Sequence, residues 1–246
     1  QALAQLLEAD QGDVESSEVA HEQEEAKVEK PMSLNDQRIG SVVAALKGSG
    51  ARRVLDLGCA EGQLIRALIK EPQFSEIVGL DVSHRMLESA ANKLHYGEFS
   101  DLKRERIKLL HGSLTYRDKR IEGYDAAAVV EVIEHFDPPR LAAFERVLFE
   151  FTRPQTVIVT TPNVEYNVKF ETLAAGTFRH RDHRFEWTRA EFQAWAQRIV
   201  ERFGYQVRFL AVGTDDPQVG SPTQMAVFTA SSLQDVKGGE IDAKDP

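Results

Sequence analysis

The chain has 246 residues and a formal net charge of −9, a length that suits one α/β domain with some flanking chain. The charge is uneven: residues 1–33 carry nine acids against Lys27 and Lys30, residues 233–246 carry four acids against two lysines, and the middle is neutral. The single cysteine, Cys59, excludes an internal disulfide and fits a cytoplasmic protein, and no apolar run approaches the ~18 residues of a membrane span.

Residues 1–33 are rich in Glu, Gln and Ser, too poor in large apolar groups to offset ordering entropy, and are expected to be an acidic flexible linker. Residues 34–232 are expected to form one domain, and 233–246 a flexible tail. Asn35 is expected to cap a helix bearing Ile39, Val42, Val43 and Leu46 at helical spacing. Strands are expected at 53–57, 76–80, 107–110, 125–130 and 156–160, alternating with helices at 63–70, 83–94 and 141–149. A long polar loop over 164–187 follows, and loops of that length are uncommon unless functional. Thr188 and Glu191 form a capping box for a helix through Phe203, and strands at 205–212 and 224–230 are expected to pair antiparallel at one edge. Alternating strands and helices imply a doubly wound, mostly parallel α/β sheet.

Two stretches carry chemistry. Asp56-Leu57-Gly58-Cys59-Ala60-Glu61-Gly62 follows a strand and opens a helix, so small residues let the backbone approach a ligand. Asp81 ends the next strand, where a carboxylate can accept hydrogen bonds from ribose hydroxyls. The second stretch is Glu131-Val132-Ile133-Glu134-His135, at the exit of the apolar run 126–130. Its acids and imidazole would share one face if a helical turn began there, and that donor set suits Mn²⁺, Mg²⁺ or Fe²⁺. His180 or His183, in the run Arg179-His180-Arg181-Asp182-His183-Arg184, could add a fourth ligand, and spacing alone leaves both open. Arg179, Arg181 and Arg184 could meet phosphates or stand as solvated loop charge, and Tyr166 could stack on a base or pack internally. Phe185, Trp187, Phe192 and Trp195 are expected to fasten the loop to the last helix. Cys59 is expected to act by its backbone and small size, not as a thiol.

The first half resembles the S-adenosylmethionine-dependent methyltransferases. In that family the D-x-G-x-x-x-G turn wraps the methionine part, the second-strand acid holds the ribose and a polar residue after the third strand meets the adenine. The matching positions are Asp56, Gly58, Gly62, Asp81 and Ser113 with Leu114; Cys59, Val82 and Val130 complete the expected cofactor set. Many members have glycine where this chain has Ala60.

The motifs E-V-I-E-H (131–135), T-P-N-x-E-Y-N (161–167) and D-H-R-F-E-W-T-R (182–189) together resemble the small-RNA 3′-terminal ribose 2′-O-methyltransferases of Hen type, over about 34–228. Gly112-Ser113-Leu114-Thr115-Tyr116-Arg117-Asp118 favours the bacterial RNA repair branch. The resemblance implies S-adenosyl-L-methionine as methyl donor and Mn²⁺ or Mg²⁺ held by Glu131, Glu134, His135 and His183. It implies as substrate an RNA 3′ end with a free 2′,3′-diol, such as a cleaved tRNA, and a polynucleotide kinase–phosphatase–ligase complex joined through an upstream half. An O-methyltransferase for a small catechol or quinol shares E-x-x-E-H and is the alternative; a non-catalytic RNA-binding module is a third reading.

Overall fold

The computed structural model describes residues 33–174 and 176–231. The expected linker, apart from Ser33, and the expected tail lie outside the described residues. The chain divides into two units, Gln1–Asp36 and Gln37–Pro246, and the sheet belongs to the second. Among the described residues no helix is long and apolar enough to cross a membrane.

Seven strands form one sheet: β1 (Arg53–Leu57), β2 (Glu76–Asp81), β3 (Ile107–His111), β4 (Ala126–Val130), β5 (Thr156–Pro162), β6 (Tyr205–Val212) and β7 (Thr223–Ala230). Their spatial order is β3-β2-β1-β4-β5-β7-β6. The first five are parallel, with Leu55 beside Val78 and Val130 beside Thr160. β7 runs antiparallel to both β5 and β6, which leaves β6 as the edge. The doubly wound, mostly parallel sheet with an antiparallel edge is therefore the fold observed. β1 and β4 are neighbours although chain order reverses between them, and open α/β sheets bind ligands at such a switch.

The strands read as continuous apolar runs because both faces are covered. Leu55, Leu57, Val78, Val129 and Val159 face one core with Phe144, Phe192, Trp195 and Ile199. Val54, Ile77, Ala128 and Ile158 face the other, with Val42, Leu46, Leu64, Ile65 and Leu87. The first core takes its helical side chains from α5 (Pro138–Glu145, continued by a π-helical stretch to Thr152) and α6 (Arg189–Phe203). The second takes them from α1 (Leu34–Gly48), α2 (Gln63–Leu68) and α3 (His84–Lys93). Helices thus shield both faces, and the site is left to the strand ends.

Three local expectations are corrected. Ser33, not Asn35, opens α1, its Oγ accepting the Asp36 N–H at 3.1 Å. A short charged helix, α4 (Asp101–Arg106), precedes β3 and was not expected; it has no apolar stripe to betray it. The long loop is not wholly irregular, since Val164–Lys169 forms a 3₁₀ stretch capped by the Asn163 side chain. The capping box is present as read: Thr188 Oγ1 accepts the Glu191 N–H at 3.2 Å, and Glu191 Oε2 accepts the Thr188 N–H at 2.8 Å. Thr188→Ala is expected to lower stability by about 1 kcal/mol, seen as a lower urea midpoint with an unchanged slope.

Candidate active site

The site is built from two turns that touch. After β1, the Gly58 and Cys59 N–H groups donate to the Leu80 carbonyl at 2.8 and 3.1 Å, which folds the turn over β2. Gly58 has φ +80°, and a Cβ there would come 2.6 Å from Val132 Cγ2. Only glycine meets both demands, so the glycine turn and the turn after β4 pack without a gap. Ala60 also adopts a left-handed φ, +43°. That is the position where the resemblance led one to expect glycine, and alanine bears backbone strain there. Gly62, at φ +75°, starts α2.

Asp81 fastens this turn to the next, Oδ2 accepting the Ala60 N–H at 2.9 Å and Oδ1 the Ser83 N–H at 2.7 Å. Asp56 is buried in β1, and its Oδ2 has no hydrogen-bond partner. Burial, with the Asp81 charge adding, pushes its carboxyl up to about 7. Val82 is exposed beyond β2, Val130 ends β4 half-buried, Leu114 is buried, and Ser113 Oγ pairs with Thr115 Oγ1 at 2.9 Å. The nine residues of the expected cofactor set thus gather along the C-terminal ends of β1 to β4. Cys59 is buried against Gly79, where a Cβ would come 2.9 Å from its Sγ, and burial pushes its thiol up, away from reactivity.

The turn after β4 differs from expectation. Only Ile133–His135 is helical, and Glu131 sits at φ +54°, so Glu131, Glu134 and His135 do not share a helical face. Left-handed φ at a non-glycine residue is strained and recurs at functional sites. Glu131 is held by its neighbours: its N–H and Oε1 meet Thr160 Oγ1 at 3.1 and 3.0 Å, and its Oε2 lies 3.1 Å from Arg38 Nη2. Burial raises its pKa, and Arg38 opposes the rise. Glu134 has no exposed surface; its Oε2 accepts the Thr161 hydroxyl at 3.1 Å, and its buried Oε1 has no partner. Burial, then the Glu131 charge, holds its pKa well above the ordinary value.

Glu134, His135 and His183 each offer one donor atom, all within 4.8 Å of one another. One divalent ion with bonds of about 2.1–2.4 Å bridges donors at that spread. One carboxylate, two imidazoles and no thiolate, with an orphaned carboxylate oxygen among them, fit such an ion. Glu131 stands outside these three, turned toward Arg38 and Thr160, so the structure brings together three of the four expected ligands. His183 rather than His180 joins them: the His135 and His183 ring centroids lie 4.9 Å apart, whereas His180 is exposed and its Nδ1 takes the Asp182 N–H. Desolvation lowers the His135 pKa, and His183 adds to the effect.

The loop that delivers His183 is tied down by residues for which the sequence suggested other roles or none. Arg179 neither stands free nor meets solvent as loop charge. Its guanidinium donates to Asn167 Oδ1 at 2.6 Å, the Pro222 carbonyl at 2.7 Å and the Asn163 carbonyl at 2.6 Å. The buried Glu186 accepts from the Arg179 N–H, from Asn167 Nδ2 and from His183 Nδ1, each at 2.6 Å. Arg184 donates its N–H to the Glu134 carbonyl at 2.7 Å, which closes the loop onto the β4 turn. Phe185 stacks on Trp187 at 4.2 Å, and Trp187 lies 5.6 Å from Trp195, so the aromatic residues do fasten the loop to α6. Tyr166 packs on Phe170, while Arg181 and Arg184 remain exposed at the rim. Thr161, Asn163, Asn167 and Glu186 lie within the motifs, though no role was read for them there, whereas Arg38 and Thr160 arrive by tertiary folding.

A family model described as a methyltransferase domain matches residues 55–158. With the sheet order and the glycine turn, it defines the fold as that of the S-adenosylmethionine-dependent methyltransferases. The solved methyltransferase domain of bacterial CtHen1 is 55% identical with a TM-score of 0.74, over 80% of this chain and 100% of that one. The small RNA 2′-O-methyltransferase of Mus musculus is 39% identical over 72% of this chain and 46% of its own length. The chain therefore spans about half the length of the curated relatives it matches. A chain in a Pnkp1/Rnl/Hen1 RNA repair complex shares the fold at 22% identity and a TM-score of 0.61, over 80% of this chain and 42% of that one. The chain belongs to the Hen1-type methyltransferase family.

Asp56 gives a pH signature. A carboxyl raised from 3.8 to about 7 on folding binds more protons folded than unfolded between those values. Its contribution to stability is therefore lost as pH climbs from about 4 to about 7. Asp56→Asn is expected to leave the melting temperature of the donor-free protein nearly unchanged at pH 4 and to raise it at pH 8, measured by thermal denaturation across that range.

Proposed function

We propose that this protein transfers a methyl group from S-adenosylmethionine to the 2′-hydroxyl of the 3′-terminal ribose of RNA, using Mn²⁺ or Mg²⁺. The observation that carries the reading is the convergence of Glu134, His135 and His183 beside a methyltransferase glycine turn, with one buried Glu134 oxygen unpartnered. Those three residues would hold the ion, with Glu131 beside them. A divalent ion supplies Lewis acidity to ribose hydroxyls, which are otherwise far from ionised at neutral pH.

The chain's own residues supply the rest. Asp81 keeps lone pairs on both oxygens for the ribose hydroxyls of the donor, while its backbone contacts fix their direction. The unpartnered Asp56 oxygen suits the donor's ammonium group, and a cation there would favour the ionised carboxylate. Gly58 brings the glycine turn against Val132, so donor and acceptor are held on adjoining turns. The lowered His135 pKa favours the neutral ring, whose one lone pair is then free to serve as a ligand, and the 2′-hydroxyl proton passes to solvent as the methyl group leaves sulfur. Exposed His180, Arg181 and Arg184 give the rim a polar, cationic character suited to a phosphodiester chain more than to a catechol.

The 55% identity to a bacterial Hen1 methyltransferase domain, over all of that domain, supports a place in bacterial RNA repair, with a kinase–phosphatase–ligase complex as partner and a cleaved tRNA as one substrate. A single cysteine agrees with work in the cytoplasm. Incubation with labelled S-adenosylmethionine is expected to methylate an RNA ending in a diol and not one ending in a 3′-phosphate or 2′-deoxyribose. EDTA, Glu134→Ala and His183→Ala should each cut transfer at least about 100-fold. Full activity in EDTA would remove the metal from the reading; equal turnover of a simple catechol would favour the small-molecule alternative.

A further inference from the structure

Glu186 has no part in the functions considered so far, yet it is almost fully buried, 6% exposed, and contacts His183 directly. Its two oxygens have different tasks. Oε1 accepts from the Arg179 N–H and faces His183 Nδ1; Oε2 accepts from Asn167 Nδ2. Asn167 is in turn fixed by the Arg179 guanidinium through its Oδ1, and that guanidinium spans to the carbonyls of Asn163 and Pro222. Asn163 is itself held by the Val219 and Ser221 carbonyls. The network thus runs from the end of β5 and the start of β7 to one ring nitrogen of one histidine.

Its polarity is one-sided. Every group directed at Glu186 from the protein backbone and from Asn167 is a donor, so the carboxylate is held ionised. An acceptor at 2.6 Å from Nδ1 requires a proton on Nδ1. In a neutral ring the lone pair is then on Nε2.

We infer that Glu186 is a positioning residue: it sets the orientation of the His183 ring and keeps its proton on Nδ1, so that the Nε2 lone pair is the atom offered alongside Glu134 and His135. The inference rests on the metal reading given above and extends it to a residue that touches neither ion nor substrate. Arg179 and Asn167 serve the same end by orienting Glu186, which makes the arginine-rich loop a frame for the histidine and leaves only its outer residues for RNA.

Two measurements test this. In ¹⁵N-resolved NMR of the wild-type domain without metal, the His183 ring is expected in the Nδ1–H form. The Nε2–H form would overturn the proposal. Titration with Mn²⁺ alone, followed by calorimetry, is expected to give E186Q a dissociation constant about 10- to 100-fold above wild type. Its S-adenosylmethionine affinity should stay close to wild type, even though the glutamine amide, facing buried donors, lowers the melting temperature. Equal Mn²⁺ affinity in the two proteins would overturn the role of Glu186 and leave the metal reading standing. Parallel loss of donor affinity and melting temperature would show a purely structural role and overturn it too. Failure of wild type to bind Mn²⁺ would overturn the metal reading and this proposal together.

Discussion

A carboxylate with no exposed surface and one unpartnered oxygen dominates this molecule. Leaving a buried polar atom unsatisfied costs about 1–3 kcal/mol, more for a charged group. Glu134 bears that cost just beyond β4, whose five residues are all apolar. The surroundings keep it there: Thr161 holds one oxygen, the Glu134 carbonyl takes the Arg184 N–H, and Ile133 beside it is core. A second acid, Glu131, lies close enough to raise the Glu134 pKa further, and is itself restrained by Arg38 and Thr160. Two acids this close at a buried strand end need positive charge nearby, and Arg38 supplies part of it to Glu131.

Much of the fold was legible because its strands are buried on both faces. Apolar runs ending in Asp81 or Glu131, and the capping box at Thr188, are local signals that the tertiary structure had no reason to override. The glycine turn was equally plain, since Gly58 answers to backbone geometry and to a close neighbour at once. Helix α4 was hidden because Asp101–Arg106 is nearly all charge and is held by long-range bonds: Arg106 reaches the carbonyls of Ile69, Glu71 and Phe74. Nothing in a local window shows those carbonyls.

The site was legible in kind but not in arrangement. Motifs named the acids and histidines, and spacing suggested a shared helical face for three of them. The backbone does otherwise: one residue at left-handed φ turns Glu131 aside, and His183 arrives from a loop 48 residues beyond His135. Partners such as Arg38, far off in sequence, left no trace. The loop arginines show the same limit from the other side. Composition left Arg179 open as a phosphate contact or solvated loop charge, and only three-dimensional placement reveals that three of its N–H donors go to carbonyls and an asparagine.

The strand order has a consequence for how the protein is made. β7 is the last of the seven strands in sequence, yet it lies inside the sheet between β5 and β6. The carbonyl of Pro222, one residue before it, anchors Arg179, and Gln224 within it donates to the Pro162 and Trp187 carbonyls. A chain emerging from the ribosome therefore has its glycine turn, its acids and its histidines in the open long before the strand that locks their loop is available. Those non-local pairings close slowly. Until they do, β5 presents a bare edge to anything nearby. The loop bearing His183 thus gains these anchors only once β7 is in place, however early its residues are laid down.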